Sequence, residues 1–135
     1  MKAKSKYTVQ KWEERTAQQV SAETKTTKAS VEYAFTGDLE GNGIVEYLMF
    51  YKKFDEKDPH KATADYVGLI VFQGRVGGKT GSFVLEDVGV FENGTASSRL
   101  RILSGSGTGE LKQIQGTGNY RANQDGFFLE LEYQL

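Results

Sequence analysis

Residues 29–36 read ASVEYAFT, a stretch in which every second side chain belongs to one apolar face. That face consists of Ala29, Val31, Tyr33 and Phe35. Successive side chains of a strand point to opposite sides of the sheet, so this alternation predicts a β-strand with one buried face. Residues 127–135, which read FFLELEYQL, repeat the pattern. No segment of helical length carries an apolar stripe, and the sequence therefore predicts an all-β protein.

Turn signals separate the strands along the rest of the chain. Gly77-Gly78, Asn93-Gly94 and Asp125-Gly126 each supply the positive φ that a two-residue hairpin turn requires. Residues 37–43 form a looser turn signal, and residues 55–63, which include His60, read as an exposed loop. Eight strands are predicted, at residues 4–17, 25–37, 43–54, 64–75, 79–91, 95–104, 115–122 and 127–135.

Short successive strands with tight turns favour an up-and-down meander, which removes its exposed edges by closing on itself. We therefore expect one domain over residues 1–135, a closed eight-stranded antiparallel meander β-barrel. The interior of such a barrel holds either packed side chains or one small ligand.

Composition excludes several classes of protein. Seventeen basic and eighteen acidic residues give a net charge of -1, without the basic excess typical of a nucleic-acid-binding protein. The chain has no cysteine and one histidine, so we expect no disulfide, no metal site and no cofactor. No apolar run approaches the roughly 20 residues of a membrane-spanning helix, and the N-terminus lacks the apolar core of a signal peptide. We expect no membrane partner and a cytoplasmic location.

Two glycine-containing motifs have structural interpretations. Gly78-Lys79-Thr80 resembles the end of a phosphate-binding loop, but Gln73 stands where the first glycine of that motif belongs. Residues 105–118 contain five glycines. They predict a sharply bent strand against which another backbone packs closely, or alternatively room for a ligand at the barrel mouth.

Strands three to five are apolar on both faces. Ile44, Leu48 and Phe50 share one face of the third strand, and Val45, Tyr47, Met49 and Tyr51 share the other. Only one face can line the interior, and alternation alone does not choose which; the other face needs a partner surface, a covering loop or the exposure of a sizeable apolar patch. We predict a homo-oligomer, most simply a two-fold dimer, in which these strands form the contact and Tyr47, Met49 and Tyr51 lie on the outer face.

Four residues are the candidate ligand-binding side chains: Glu46, Asp87, Tyr33 and Phe35. Glu46 lies between Ile44 and Leu48 on one face, where an inward orientation would raise its pKa and suit it to acid–base chemistry. The sequence favours a barrel that binds a small apolar or amphipathic molecule. The alternatives are a cofactor-independent cyclase or isomerase that uses Glu46 or Asp87, and an oligomeric barrel with a filled interior and no ligand.

Six segments together resemble an uncharacterised bacterial family, domain of unknown function 3224. They are residues 9–14 (VQKWEE), 37–41 (GDLEG), 45–49 (VEYLM), 67–69 (VGL), 77–85 (GGKTGSFVL) and 105–111 (GSGTGEL). The resemblance implies an allene oxide cyclase-like barrel. Relatives of that fold bind small apolar molecules inside the barrel and steer cyclisation without a cofactor, so the resemblance implies a similar ligand here but assigns no function.

Overall fold

The computed structural model describes residues 1–54, 57–58 and 61–135 and contains nine β-strands in that part of the chain. They are β1 (Lys2–Gln19), β2 (Lys25–Gly37), β3 (Leu39–Lys53), β4 (Thr63–Val76), β5 (Lys79–Glu92), β6 (Thr95–Ile102), β7 (Thr108–Gly109), β8 (Gln115–Asn123) and β9 (Gly126–Gln134). The described residues include no α-helix, so the predicted all-β class is confirmed. His60 and its neighbour Pro59 lie outside the described residues.

Eight of the strands form a closed antiparallel ring. Each pairs with its neighbours in the order β4-β3-β2-β1-β9-β8-β6-β5, and a β4–β5 ladder closes the ring. The first and last strands of the chain pair through Lys2–Lys6 and Phe128–Glu132. The predicted antiparallel meander is therefore confirmed. Strand β7, which the sequence did not suggest, adds two residues to the edge of β5.

The structure reverses the predicted faces of β3. Val45, Tyr47 and Met49 point into the ring and are buried, whereas Ile44 and Leu48 are each 55% exposed. The placement of Tyr47, Met49 and Tyr51 on the outer face was therefore wrong. The reason is the register with β2, in which Val31 lies opposite Val45. Residues opposite each other in a ladder share a face, so the buried face of β2 fixes that of β3.

One end of the ring is closed by the chain between β6 and β8. Leu111 and Ile114 from this segment are almost fully buried. A Cβ atom on Gly107 would lie 2.0 Å from the carbonyl oxygen of Leu111. The glycines here permit close backbone packing, as one of the two interpretations of residues 105–118 requires. The segment lies at the end where β5 begins, and the opposite end of the ring is open.

The outer surface carries an apolar area around the exposed Glu46, which we call the outer patch. It consists of Ile44, Leu48 and Phe50 on β3 and Val67, Leu69 and Val71 on β4. The β3–β4 register places Leu48 opposite Val67 and Ile44 opposite Val71, so these side chains are neighbours. Together they expose roughly 500 Å², within the range of the largest apolar patch on a typical monomer, and such patches are often functional.

Candidate functional site

The open end of the ring leads into a cavity of about 350 Å³. Aromatic side chains from seven strands form most of its wall, and smaller apolar and amide side chains complete it near the rim. The aromatic residues are Tyr7, Trp12, Tyr33, Tyr47, Tyr66, Phe91, Tyr120 and Phe127. Such a concave, mainly apolar space with a few convergent polar groups is the usual form of a small-molecule site.

Tyrosine hydroxyls converge on a buried carboxylate beneath this cavity. Tyr47 donates a hydrogen bond of 2.7 Å to Oδ2 of Asp87, and the Tyr33 and Tyr47 hydroxyl oxygens are 3.0 Å apart. On the other side, the Tyr120 hydroxyl lies 2.9 Å from that of Tyr66, which is 2.7 Å from Oγ of Ser98. We call these six residues the tyrosine cluster.

Asp87 is the charged side chain of the cluster, and it is fully buried. Burial raises the pKa of its carboxyl, because the charged form loses its water. The hydroxyls of Ser98, Tyr47 and Tyr120 oppose this shift because their dipoles favour the charged form. Among the described residues Oδ1 has no hydrogen-bond partner. An unsatisfied buried carboxylate oxygen costs free energy and is therefore characteristic of a functional site rather than of a packed core.

The tyrosines of the cluster remain protonated near neutral pH. Burial raises the pKa of Tyr66 to about 12, against smaller opposing effects from hydrogen bonds with Ser98 and Tyr120. Burial likewise raises the pKa of Tyr33, Tyr47 and Tyr120. Each hydroxyl therefore offers one proton and its oxygen lone pairs.

A second carboxylate lies beside the cavity rim. Glu14 accepts hydrogen bonds from the Trp12 indole at 3.0 Å and from the hydroxyls of Thr27 and Tyr51, both at 2.7 Å. These contacts fix Trp12, which lines the cavity, while leaving its side chain partly exposed. A hollow of about 450 Å³ adjoins the rim here, and Lys25 on its wall places its ammonium 4.2 Å from the Phe54 ring centre.

The four candidate residues separate into different environments. Tyr33 lines the cavity, and Asp87 lies beneath it in the tyrosine cluster. Phe35 is buried one layer deeper, with its ring 5.7 Å from that of Phe72, and it does not reach the cavity wall. Their function as ligand-binding residues stays a prediction.

The predicted inward orientation of Glu46 is wrong. Its side chain is exposed on the outer surface and accepts a 2.7 Å hydrogen bond from Ser30. Tyr47 and Val45 occupy the interior instead, because β3 takes the opposite face from the one assigned. Glu46 is therefore not part of the tyrosine cluster.

Sequence reasoning missed Tyr47, Tyr66 and Tyr120 as site residues. A signal for two of them was present in the chain. Gly68 lies opposite Tyr47, and Gly89 lies opposite Tyr66. A Cβ atom on either glycine would come within 2.6 Å of that tyrosine's side chain, so each glycine makes room for a ring.

Two further properties of the described residues bear on function. They contain no group of three or more histidine, cysteine, aspartate or glutamate side chains placed to hold a metal ion. Within the same part of the chain, no helix has the length and apolar character needed to span a membrane.

Comparisons with known proteins find one family and a structural relative. The model of the family described as "Protein of unknown function (DUF3224)" matches residues 3–134. A crystal structure of a protein of unknown function from the same family, from Shewanella oneidensis MR-1, superposes with a TM-score of 0.75. The two chains are 21% identical over 100% of this chain and 97% of the other, a likeness that shows the fold alone. No curated protein matches the chain.

Proposed function

The chain belongs to the DUF3224 family, a family of unknown function, and from that premise we propose that it binds one small amphipathic molecule, mostly apolar, inside the ring. The observation that carries this proposal is the cavity of about 350 Å³ above the tyrosine cluster. A ring that served only as a scaffold would gain stability by filling this space with larger side chains, because an empty cavity forfeits packing contacts.

The cavity wall indicates the shape and chemistry of the ligand. Tyr7 stacks on Phe127 with ring centres 5.4 Å apart, and Trp12 lies 6.4 Å from Tyr47. Flat aromatic walls of this kind suit a flat or ring-shaped skeleton. The hydroxyls beneath them would orient the ligand by hydrogen-bonding its one polar group.

We expect 1-methylnaphthalene to bind the protein and to alter the fluorescence of Trp12, the only tryptophan. Ala96→Phe adds a ring at a residue of the cavity wall and should weaken binding at least about tenfold by occupying the space. Ala34→Phe, on the outer face of β2, is the matched control and should bind as the parent does. Equal binding by both variants, measured by titration with unfolding curves as a check, would contradict an interior site.

A cofactor-independent cyclase or isomerase is the second candidate function. It is supported by Asp87, whose raised pKa and hydrogen bond from Tyr47 would allow a proton to pass between the cavity and the carboxyl. In this version Asp87, one of the two acids considered from the sequence, takes the acid–base role, and the ring is a barrel of the allene oxide cyclase-like class. Turnover that depends on Asp87 would distinguish this candidate from simple binding.

We also propose that two copies of the chain associate through the outer patch. Standard interfaces bury about 800 Å² on each partner, and the patch would supply the apolar part of such an interface. Lys28 and Glu32 flank the patch on β2, two ladder positions to either side of Ser30. A two-fold axis across the strands would therefore set Lys28 of each copy against Glu32 of the other.

Leu69→Glu is expected to convert the dimer to a monomer at micromolar concentration, because it places a third carboxylate between Glu46 and Glu86, which lie opposite it on the neighbouring strands. Phe128→Glu, at a residue 42% exposed on β9, is the matched control and should remain dimeric. Sedimentation velocity measures both variants and the parent. A parent protein that sediments as a monomer would overturn the proposal.

A further inference from the structure

The hydrogen-bond directions of the tyrosine cluster restrict what a ligand can offer it. Tyr47 gives its single proton to Oδ2 of Asp87, so the contact between Tyr33 and Tyr47 requires Tyr33 to be the donor. On the other side Tyr120 donates to Tyr66, whose own proton has Oγ of Ser98 at 2.7 Å and the Ser97 carbonyl oxygen at 3.5 Å as acceptors. All four tyrosine protons therefore have acceptors within the protein.

The groups left over are hydrogen-bond acceptors. The hydroxyl oxygens of Tyr33 and Tyr120 lie on the cavity wall, and neither receives a proton from the other tyrosines of the cluster. Below them, Oδ1 of Asp87 has no partner among the described residues. A ligand that only accepts hydrogen bonds would meet no free tyrosine proton here, whereas a ligand that donates would find two or three acceptors.

The charge distribution around the cavity also favours a ligand with a hydrogen-bond-donating, positively charged group. Among the residues that form its wall none is charged, and the carboxylate of Asp87 lies directly below the wall tyrosines Tyr33, Tyr47, Tyr66 and Tyr120. Aromatic ring faces are themselves negative and attract cations. A buried carboxylate acts over longer distances than an exposed one, because little water screens it. The cavity floor is thus a region of negative potential.

We propose that the polar group of the ligand is a protonated amine, carried on a flat apolar skeleton. This inference deepens the proposed function and rests on it. An ammonium supplies up to three donors to the acceptors of Tyr33 and Tyr120, packs against the tyrosine rings and compensates the charge of Asp87. A carboxylate ligand would meet the opposite situation, with like charges close together and no donors to receive it.

The test uses four probes of nearly the same shape: 1-naphthylmethylamine, 1-naphthalenemethanol, 1-methylnaphthalene and 1-naphthoate. At neutral pH the amine should bind at least about tenfold more tightly than 1-methylnaphthalene, with the alcohol between them and 1-naphthoate weakest. Titration calorimetry or Trp12 fluorescence measures all four.

Two variants test the amine inference separately from the proposal that a small molecule binds inside the ring. Asp87→Asn should reduce the ratio of amine affinity to 1-methylnaphthalene affinity, and Tyr33→Phe, which removes one acceptor, should reduce the same ratio by less. Circular dichroism checks that each variant is folded, and Tyr33→Phe keeps the test valid if Asp87→Asn is not. Binding of 1-methylnaphthalene as tight as that of the amine would overturn the amine inference alone. Failure of all four probes would overturn the proposed function itself.

Discussion

Replacing Gly74 by alanine is expected to lower the free energy of unfolding by about 3 kcal/mol or more, which is enough to unfold much of a marginally stable domain. Gly74 on β4 lies opposite Gly41 on β3, and its φ of +154° is a conformation that residues with a side chain rarely adopt. A Cβ atom there would lie 2.1 Å from the carbonyl oxygen of Glu40 and 2.8 Å from the Cα of Gly41. Both are backbone atoms, so relief requires the β3–β4 ladder to open.

Gly78→Ala is the matched control for this prediction. Gly78 also has a positive φ, +82°, but no atom lies within 4 Å of the position its Cβ would take. We expect Gly78→Ala to lower the free energy of unfolding by about 1 kcal/mol, which is the cost of the backbone conformation without a steric clash. Urea unfolding followed by circular dichroism measures both variants. Equal losses would show that backbone conformation, and not the close approach of β3 to β4, accounts for the requirement for glycine.

The protein is expected to lose stability as the pH rises through the folded-state pKa of Asp87. Burial raises the pKa of this carboxyl, so the folded state holds the proton more tightly than the unfolded state, in which the pKa of aspartate is about 3.9. The contribution of Asp87 to the free energy of unfolding is therefore complete below that unfolded value and is lost as the pH rises through the folded-state pKa. The loss amounts to about 1.4 kcal/mol for each pH unit by which the folded-state pKa is raised.

Asp87→Asn isolates this effect, because asparagine has nearly the same shape and does not titrate. The difference in unfolding free energy between the parent and the variant should shift in favour of the variant as the pH rises from about 4 towards neutrality. The remaining carboxylates contribute equally to both proteins and cancel in the difference. Urea unfolding at a series of pH values provides the measurement, and parallel curves for the two proteins would contradict a raised pKa at Asp87.

The candidate site was only partly accessible from the sequence. Asp87 stood out because a carboxylate on an apolar strand face is unusual, and Tyr33 because its strand alternates so clearly. Tyr47, Tyr66 and Tyr120 did not, because Tyr120 on β8 is far along the chain from β3 and β4 and meets the other two only when the ring closes. A cluster of that kind is a property of the strand order around the ring, which the pattern of a single strand cannot reveal.

The fold class, the meander and most strand boundaries followed from the sequence alone, because side-chain alternation and turn glycines are local properties. The sequence did not decide which face of β3 points inward, because both of its faces are apolar. Neighbouring residues point to opposite faces, so either Glu46 or Tyr47 could have been the inward residue. Tertiary structure decided it: pairing with β2 set Val45 opposite Val31, buried Tyr47 and left Glu46 in water. The same closure of the ring placed Asp87 beneath four tyrosines, and so created the cavity floor on which the proposed function rests.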